Sequence, residues 1–130
     1  MTSVRRRSLI NFISIPHSVQ DELINLDSYN LYKEIDRQKS FVENHWSNQF
    51  VKYEDLAQIG FYFLRRPDIV CCRFCDVVLG EFEENDIPLK EHLKFSPNCP
   101  LLLKRFTKNI PINQSKLDKI LPEKLPDEYG

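Results

Sequence analysis

The chain has 130 residues and a net charge of −1, a size that suits one domain and a charge that attracts neither nucleic acid nor anionic membranes. No apolar run approaches the ~18 residues that a membrane span needs, and polar residues interrupt the apolar stretch that a signal peptide would require near the N-terminus. We therefore expect a cytoplasmic protein with reduced cysteines and no nucleic-acid or membrane partner.

Residues 1–35 are predicted to form an N-terminal segment that is partly disordered or folded into short helices. The first 20 residues mix basic, polar and apolar side chains and contain Pro16, which favours disorder or ordering on a partner. Ser18 suits a helix N-cap. Helical spacing then follows at Leu23, Leu26, Leu31 and Ile35.

Two helical stretches are predicted before the first strand. The first runs from Arg37 to His45, with Phe41 and Trp46 as core anchors, because large aromatic side chains bury the most area. The second is a short turn of helix at Tyr53–Ile59. Gly60 ends it, since a positive φ costs glycine little.

Three β-rich stretches predict a small antiparallel meander at residues 61–64, 69–72 and 79–82. A helix should begin at Pro88, and a further helix is predicted from Pro100 to Phe106. We interpret residues 107–130 as a linker or tail that holds a short helical piece near Ser115–Leu121.

Four residues follow the pattern C-x2-C-x16-H-x6-C and predict one structural zinc site: Cys72, Cys75, His92 and Cys99. The alternative is four buried residues that share this spacing by chance. Three thiolates and one imidazole leave no open position for water, which argues against metal-assisted hydrolysis and against an enzyme. Cys71 should point away from Cys72 because side chains alternate along a strand, so we interpret it as a small strand residue.

Several motifs resemble a known family when taken together: Arg37-x-x-Ser40-Phe41, Trp46, Gly60-Phe61-Tyr62-Phe63, Asp68-x-Val70-x-Cys72-x-x-Cys75, Asp86-x-Pro88, Glu91-His92 and Ser96-Pro97-x-Cys99. Over residues 36–106 the chain resembles a BIR domain, the baculoviral inhibitor-of-apoptosis repeat. With the sequence that follows, it is most similar to the first repeat of insect and insect-virus inhibitors of apoptosis. The resemblance implies an α+β fold, in which one Zn²⁺ stabilises a three-stranded antiparallel sheet surrounded by short helices.

The resemblance also implies a groove in which a partner with a free N-terminal Ala adds a strand beside the third strand. The residues that would contact such a peptide are Leu79, Gly80, Glu81, Phe82, Asp86, Glu91 and Phe95. Asp86 and Glu91 would receive the peptide amine, and the two phenylalanines would form apolar walls where the family usually has Trp. Each has another interpretation: Asp86 as a helix-terminal acid, Glu91 as a solvated residue, and both aromatic side chains as core.

The leading hypothesis is an anti-apoptotic module that binds caspases or the pro-apoptotic proteins that compete for them. The alternative is a BIR domain that docks an adaptor through its helical surfaces and leaves the groove unused. A nucleic-acid-binding zinc module is disfavoured by the net charge. The linker-like end of the sequence favours a fragment of a longer protein. The resemblance to insect relatives implies a regulatory role for residues 1–35 at the groove, and Asp27 followed by Ser28 is compatible with a caspase cut there. The alternative is that Leu23–Ile35 forms helices packed on the domain.

Overall fold

The computed structural model describes residues 23–122, so the expectations for residues 1–20 and the predicted N-cap at Ser18 lie outside the described part. The elements in chain order are α1 (Glu34–Val42), α2 (Tyr53–Gln58), β1 (Phe61–Arg65), β2 (Ile69–Cys72), β3 (Val78–Leu79), α3 (Pro88–Phe95) and α4 (Gln114–Ile120). A small sheet with short helices around it confirms the predicted α+β class. No helix among the described residues is long and apolar enough to cross a membrane.

The sheet is an antiparallel meander in the order β1-β2-β3, which leaves β3 at an edge. Phe61 pairs with Cys72 and Phe63 with Val70, whereas β2 and β3 pair only at Val70↔Leu79 and Cys71↔Val78. Phe61 and Phe63 are fully buried because alternate side chains of β1 face the core. The meander predicted from the sequence is therefore confirmed, although β3 is short.

Four aromatic rings form the centre of the core. The ring of Phe41 lies parallel to that of Phe63 at 5.6 Å, and the ring of Trp46 meets Phe41 edge-on at 5.0 Å. Tyr53 stacks on Phe41 from α2 at 6.0 Å. Each such pair adds about 0.5–1.5 kcal/mol beyond the area that it buries. Both predicted anchors, Phe41 and Trp46, therefore hold α1 against the sheet.

The helix predicted between Leu23 and Ile35 is wrong over residues 23–33, which form turns and extended chain. The side chain of Asn25 accepts a hydrogen bond from the backbone N–H of Asp27 at 3.0 Å, and Asn30 does the same for Tyr32 at 3.1 Å. Such local bonds compete with helical ones, which is why asparagine favours turns. Apolar side chains of this stretch pack against the core, but the backbone that carries them is not helical.

This segment lies against the far end of β1. Leu23 forms a bridge with Arg65, and the N–H of Ile24 donates to the carbonyl of Leu64 at 3.0 Å. Ile24 is buried in the main core. The described residues before α1 thus pair with the end of β1 and extend the fold along that strand.

The helix predicted at residues 100–106 is also wrong, because the chain makes only consecutive turns there. Lys104 adopts a left-handed conformation with φ of 59°. The N–H of Arg105 donates to the carbonyl of Pro100 at 2.9 Å, and the N–H of Lys104 donates to that of Leu101 at 3.1 Å. These two hydrogen bonds are those of a Schellman motif, which normally ends a helix. Here the motif stops the chain from continuing into a regular helix.

The described part of the predicted linker, residues 107–122, packs on the domain. Leu117 and Leu121 belong to the main core, and Asn113 caps α4 by accepting from the N–H of Lys116 at 3.0 Å. The predicted short helix is confirmed as α4. This packing closes the side of the core that lies next to α1.

Arg37 is fully buried, and its guanidinium joins three separate segments. It donates to the carbonyls of Leu31 at 2.9 Å, Tyr32 at 3.1 Å and Ala57 at 2.9 Å, and to the side-chain oxygen of Asn109 at 2.9 Å. Burial lowers the pKa of Arg37 to about 10, so the group stays charged at neutral pH. A planar fork with five donors suits this arrangement better than lysine would.

Replacing Arg37 by methionine should destabilise the domain by on the order of 3 kcal/mol, because buried carbonyls lose charged hydrogen-bond donors. Chemical denaturation should measure the loss. Arg105→Met changes an exposed arginine and should stay within about 0.5 kcal/mol of the parent. Equal losses in the two variants would contradict the role given to Arg37.

Candidate zinc centre and peptide-binding edge

The four predicted ligands come from four successive parts of the fold. Cys72 ends β2, Cys75 lies in the turn after it, His92 lies on α3, and Cys99 follows the turn that ends α3. The turn after β2 is closed by the N–H of Asp76, which donates to the carbonyl of Cys72 at 2.9 Å. This turn brings the sulfurs of Cys72 and Cys75 into one group with the other two ligand atoms.

The geometry of the ligand atoms fits one zinc ion. All four ligand atoms lie within 4.8 Å of one another. The two sulfurs of Cys72 and Cys99 are 3.9 Å apart, and the sulfur of Cys75 is 3.5 Å from Nε2 of His92. A tetrahedron with Zn–S of about 2.3 Å and Zn–N of about 2.0 Å has corresponding edges of about 3.8 and 3.5 Å. The cluster is therefore a structural zinc site of the Cys3His type.

Electrostatics within the cluster favour a thiolate at Cys75. The thiol of Cys72 donates to it, which lowers the pKa of Cys75 well below its usual range, whereas burial raises the pKa of Cys72. The backbone N–H of Phe74 points at the Cys72 sulfur at 3.3 Å and suits a thiolate there as well. Zinc has to displace the remaining thiol protons, so binding couples to deprotonation.

His92 is held mainly by packing. Its ring is fully buried and lies 4.5 Å from the ring of Phe61. The other ring nitrogen, Nδ1, has no hydrogen-bond partner among the described residues. The orientation of the imidazole thus depends on α3 and the core, not on a second hydrogen bond of the usual kind.

Cys71 lies on the opposite face of the sheet from Cys72. It packs in a small cluster with Ile69 and Val78 and is not part of the ligand group. Burial raises the pKa of Cys71 to about 11, so its thiol is inert at neutral pH. The strand alternation predicted from the sequence is confirmed.

Neighbouring cysteines therefore provide a matched test of the zinc site. Cys72→Ala should lose the metal and the fold, because zinc binding contributes about 10–16 kcal/mol against a net domain stability of about 5–15 kcal/mol. Cys71→Ala should keep one zinc per chain and a cooperative melt. Metal analysis by mass spectrometry and circular dichroism would check both. Retention of zinc by Cys72→Ala, or its loss from Cys71→Ala, would contradict the assignment.

The strand predicted at Leu79–Phe82 ends at Leu79, which is a correction to its length. Glu81 has a left-handed backbone with φ of 59°, so the chain turns out of the sheet. The backbone N–H groups of Glu81 and Phe82 both donate to the carboxylate of Asp68, each at 3.0 Å. A side chain has thus replaced the strand ladder at this position.

Four other residues predicted to contact a peptide follow β3 in sequence. Phe82 is only 4% exposed and belongs to the main core, and Phe95 is half-buried against the same core. Asp86 accepts a hydrogen bond from the N–H of Glu83 at 2.6 Å, and Glu91 lies in the first turn of α3. Their contact with a peptide stays a prediction.

The sequence reasoning missed the role of two polar residues at this edge. The sequence places Asp68 in a family motif without indicating its bonding role, and it gives no role to Asn48. The amide of Asn48 donates to Asp68 at 3.0 Å. An acid directly after a proline and before a strand was the available indication for Asp68, whereas nothing in the sequence pointed to Asn48.

A separate cavity of about 230 Å³ lies between the turn at residues 100–106 and α4. Its lining includes Leu101, Phe106 and Leu117, and it contains neither the zinc ligands nor the predicted peptide contacts. It is therefore distinct from both candidate sites.

Comparison with known proteins agrees with these features. Residues 37–103 match the family model described as "BIR: Inhibitor of Apoptosis domain". The chain is 36% identical over 84 residues to death-associated inhibitor of apoptosis 2 of Drosophila melanogaster. The matched stretch covers 65% of this chain but only 16% of that protein.

Two solved structures are also similar, each with a TM-score of 0.70. One is DIAP1 BIR1 bound to a Grim peptide, 44% identical, covering 75% of this chain and 99% of that one. The other is the autoinhibited dIAP1-BIR1 domain, 42% identical, covering 78% of this chain and 96% of that one. The zinc ligands, the meander and the matched residues together show that the chain belongs to the BIR family of inhibitor-of-apoptosis domains.

Proposed function

We propose that this chain is an anti-apoptotic binding module of the cytoplasm that captures proteins through their free N-terminal residues. Its partners would be pro-apoptotic antagonists, caspases or both, and it would act by binding and not by catalysis. The similar DIAP1 BIR1 domain has been solved with a Grim peptide, which supports a peptide partner. Because the chain spans a small part of its curated relative, the proposal concerns this domain.

One observation carries the proposal: β3 is an edge strand, and an acidic residue follows it closely at Asp86. An edge strand presents unpaired backbone groups that an extended peptide can pair with. The strand is short and is followed by a turn, so only a few peptide residues would pair. This suits recognition of a chain terminus better than recognition of a long internal segment.

Charge supplies the preference for a free amine. Glu91 lies in the first turn of α3, and Asp86 lies two residues before that helix begins. A protonated amine would form charge-assisted hydrogen bonds with these carboxylates, and such bonds are stronger than neutral ones. An acetylated terminus lacks the charge and has only one N–H to donate.

Adaptor docking through the helices is the second candidate, and the exposed face of α1 favours it. Ile35 and Val42 are 46% and 59% exposed, seven positions apart along this helix. Apolar side chains at this spacing lie on one face and suit a partner helix. Phe82 is also almost fully buried in the main core, which fits the interpretation of this side chain as core.

The segment before the domain, residues 1–35, is proposed to regulate the groove. A similar domain has been solved in an autoinhibited form, which supports an inhibitory role for some part of such a chain. Asp27 and Ser28 are both exposed and lie in a turn, where a protease can reach the bond between them. A caspase cut there would release the preceding segment.

Titration with an Ala-starting tetrapeptide and its N-acetylated form would test the groove. The free peptide should bind at least about tenfold more tightly, equivalent to about 1.4 kcal/mol, because only it brings a charged amine. Its affinity should fall as pH rises through about 8, where an α-amine loses its proton. Isothermal calorimetry would measure both effects.

Glu91→Gln should weaken binding of the free peptide, whereas Glu84→Gln, a change at an exposed acid of the loop before α3, should not. Equal binding of both peptides would disprove the amine anchor. Binding of neither would disprove the groove and favour the exposed face of α1.

Incubation with an active caspase should release a fragment of residues 1–27. Mass spectrometry of the products would identify the cut. Asp27→Glu keeps the charge but should remain intact, because these proteases require aspartate. An intact N-terminus in the parent chain would end the proposal that a caspase removes this segment.

A further inference from the structure

Asp68 is a buried carboxylate, 7% exposed, whose oxygens accept three hydrogen bonds from two other parts of the chain. Oδ1 accepts from the N–H of Glu81 at 3.0 Å. Oδ2 accepts from the N–H of Phe82 and from Nδ2 of Asn48, each at 3.0 Å. Bonds to an ionised acceptor are stronger than neutral ones, so this residue ties the end of β3 firmly to the turn before β2.

Asn48 extends the connection to the loop before α2. Its Nδ2 also donates to the carbonyl of Phe82 at 3.2 Å. Its Oδ1 accepts from the N–H groups of Phe50 at 2.7 Å and Val51 at 3.3 Å. The donors and the acceptor of one amide thus join three segments that are distant in sequence.

The sheet itself could not hold this part of the chain. The ladder between β2 and β3 ends at the pair Val70↔Leu79. Pro67, which comes just before Asp68, has no N–H to donate. Glu81 also needs a left-handed backbone, which is uncommon outside glycine. The carboxylate of Asp68 holds this part of the chain instead, by accepting the N–H groups of Glu81 and Phe82 beyond the end of the ladder.

We infer that Asp68 and Asn48 are positioning residues that set the shape of the peptide-binding edge at Leu79–Phe82. This inference rests on the proposed function. The two N–H groups of Glu81 and Phe82 point to Asp68, so a peptide strand cannot use them and must pair with the chain up to Gly80. An edge that is fixed before binding loses less entropy when the peptide docks.

Gly80 is part of the same arrangement. A Cβ atom built there would lie 2.5 Å from Cδ1 of Ile69 and 3.5 Å from the backbone oxygen of Asp68. A side chain at position 80 would therefore need the end of the Ile69 side chain to shift, whereas its contact with the backbone of Asp68 would be ordinary. Gly80 lets the chain pass close to Ile69 without that shift.

We call the hydrogen bonds of Asp68 and Asn48 to Glu81 and Phe82 the clamp. Two conservative variants test it separately from the rest of the fold. Asp68→Asn offers one acceptor oxygen where two backbone donors need one each. Asn48→Asp keeps an oxygen for Phe50 and Val51 but turns a second carboxylate toward Asp68. Asp55→Asn, at an exposed position on α2, is the matched control.

The experiment compares the affinity of the free Ala-starting tetrapeptide with amide hydrogen exchange at Glu81 and Phe82. It is done at a temperature where every variant retains one zinc and its full circular dichroism. Both clamp variants should exchange these two amides faster and bind the peptide about tenfold more weakly. The control should match the parent in both measurements.

Unchanged affinity alongside faster exchange would overturn the positioning role, because a merely structural contact would lower stability and leave the binding of the folded domain intact. Fast exchange in the parent chain would overturn the clamp itself. Binding of neither peptide by the parent would overturn the proposed function and the positioning role, and slow exchange in that case would support the clamp as a feature of the fold only.

Discussion

A single metal site joins the end of β2, the turn after it, helix α3 and the turn that follows α3. Without zinc, three thiols and an imidazole would be buried together with no ion to join them, and α3 would be held to the sheet only by packing such as that of His92 on Phe61. The edge strand β3 lies between the second and third ligands in sequence. The position of that edge, and of the acids that follow it, therefore depends on the metal. The zinc has no chemical role beyond this, because a Cys3His set is closed.

Two buried polar groups complete the framework where a small core cannot. Arg37 gathers carbonyls and an amide from three segments around α1, and Asp68 gathers backbone and side-chain N–H groups around the end of β3. Each is satisfied on several sides, which is the condition under which a buried charge is tolerated. Arg37 holds together the segment before α1, helix α2 and the stretch of chain at Asn109. Asp68 fixes the surface at which a partner would add a strand.

Much of the fold could be predicted because its strongest patterns are local. The cysteine spacing, the aromatic strands, Pro88 at a helix start and the alternation of Cys71 and Cys72 each follow from one short stretch. The failures have a common cause. At residues 23–33 asparagine side chains formed turns in place of a helix, and at Lys104 a left-handed residue ended one early. The bond from Asn48 to Asp68 spans twenty positions and leaves no pattern in the sequence.

A structure of the zinc-loaded domain with an Ala-starting tetrapeptide would test the central claim most directly, by crystallography or by nuclear magnetic resonance. The claim requires the peptide to lie antiparallel along β3, with its amine between Asp86 and Glu91, and with the N–H groups of Glu81 and Phe82 still bonded to Asp68. A peptide seated on α1 or in the cavity beside α4, or one that displaces Asp68 to pair with Phe82, would contradict it.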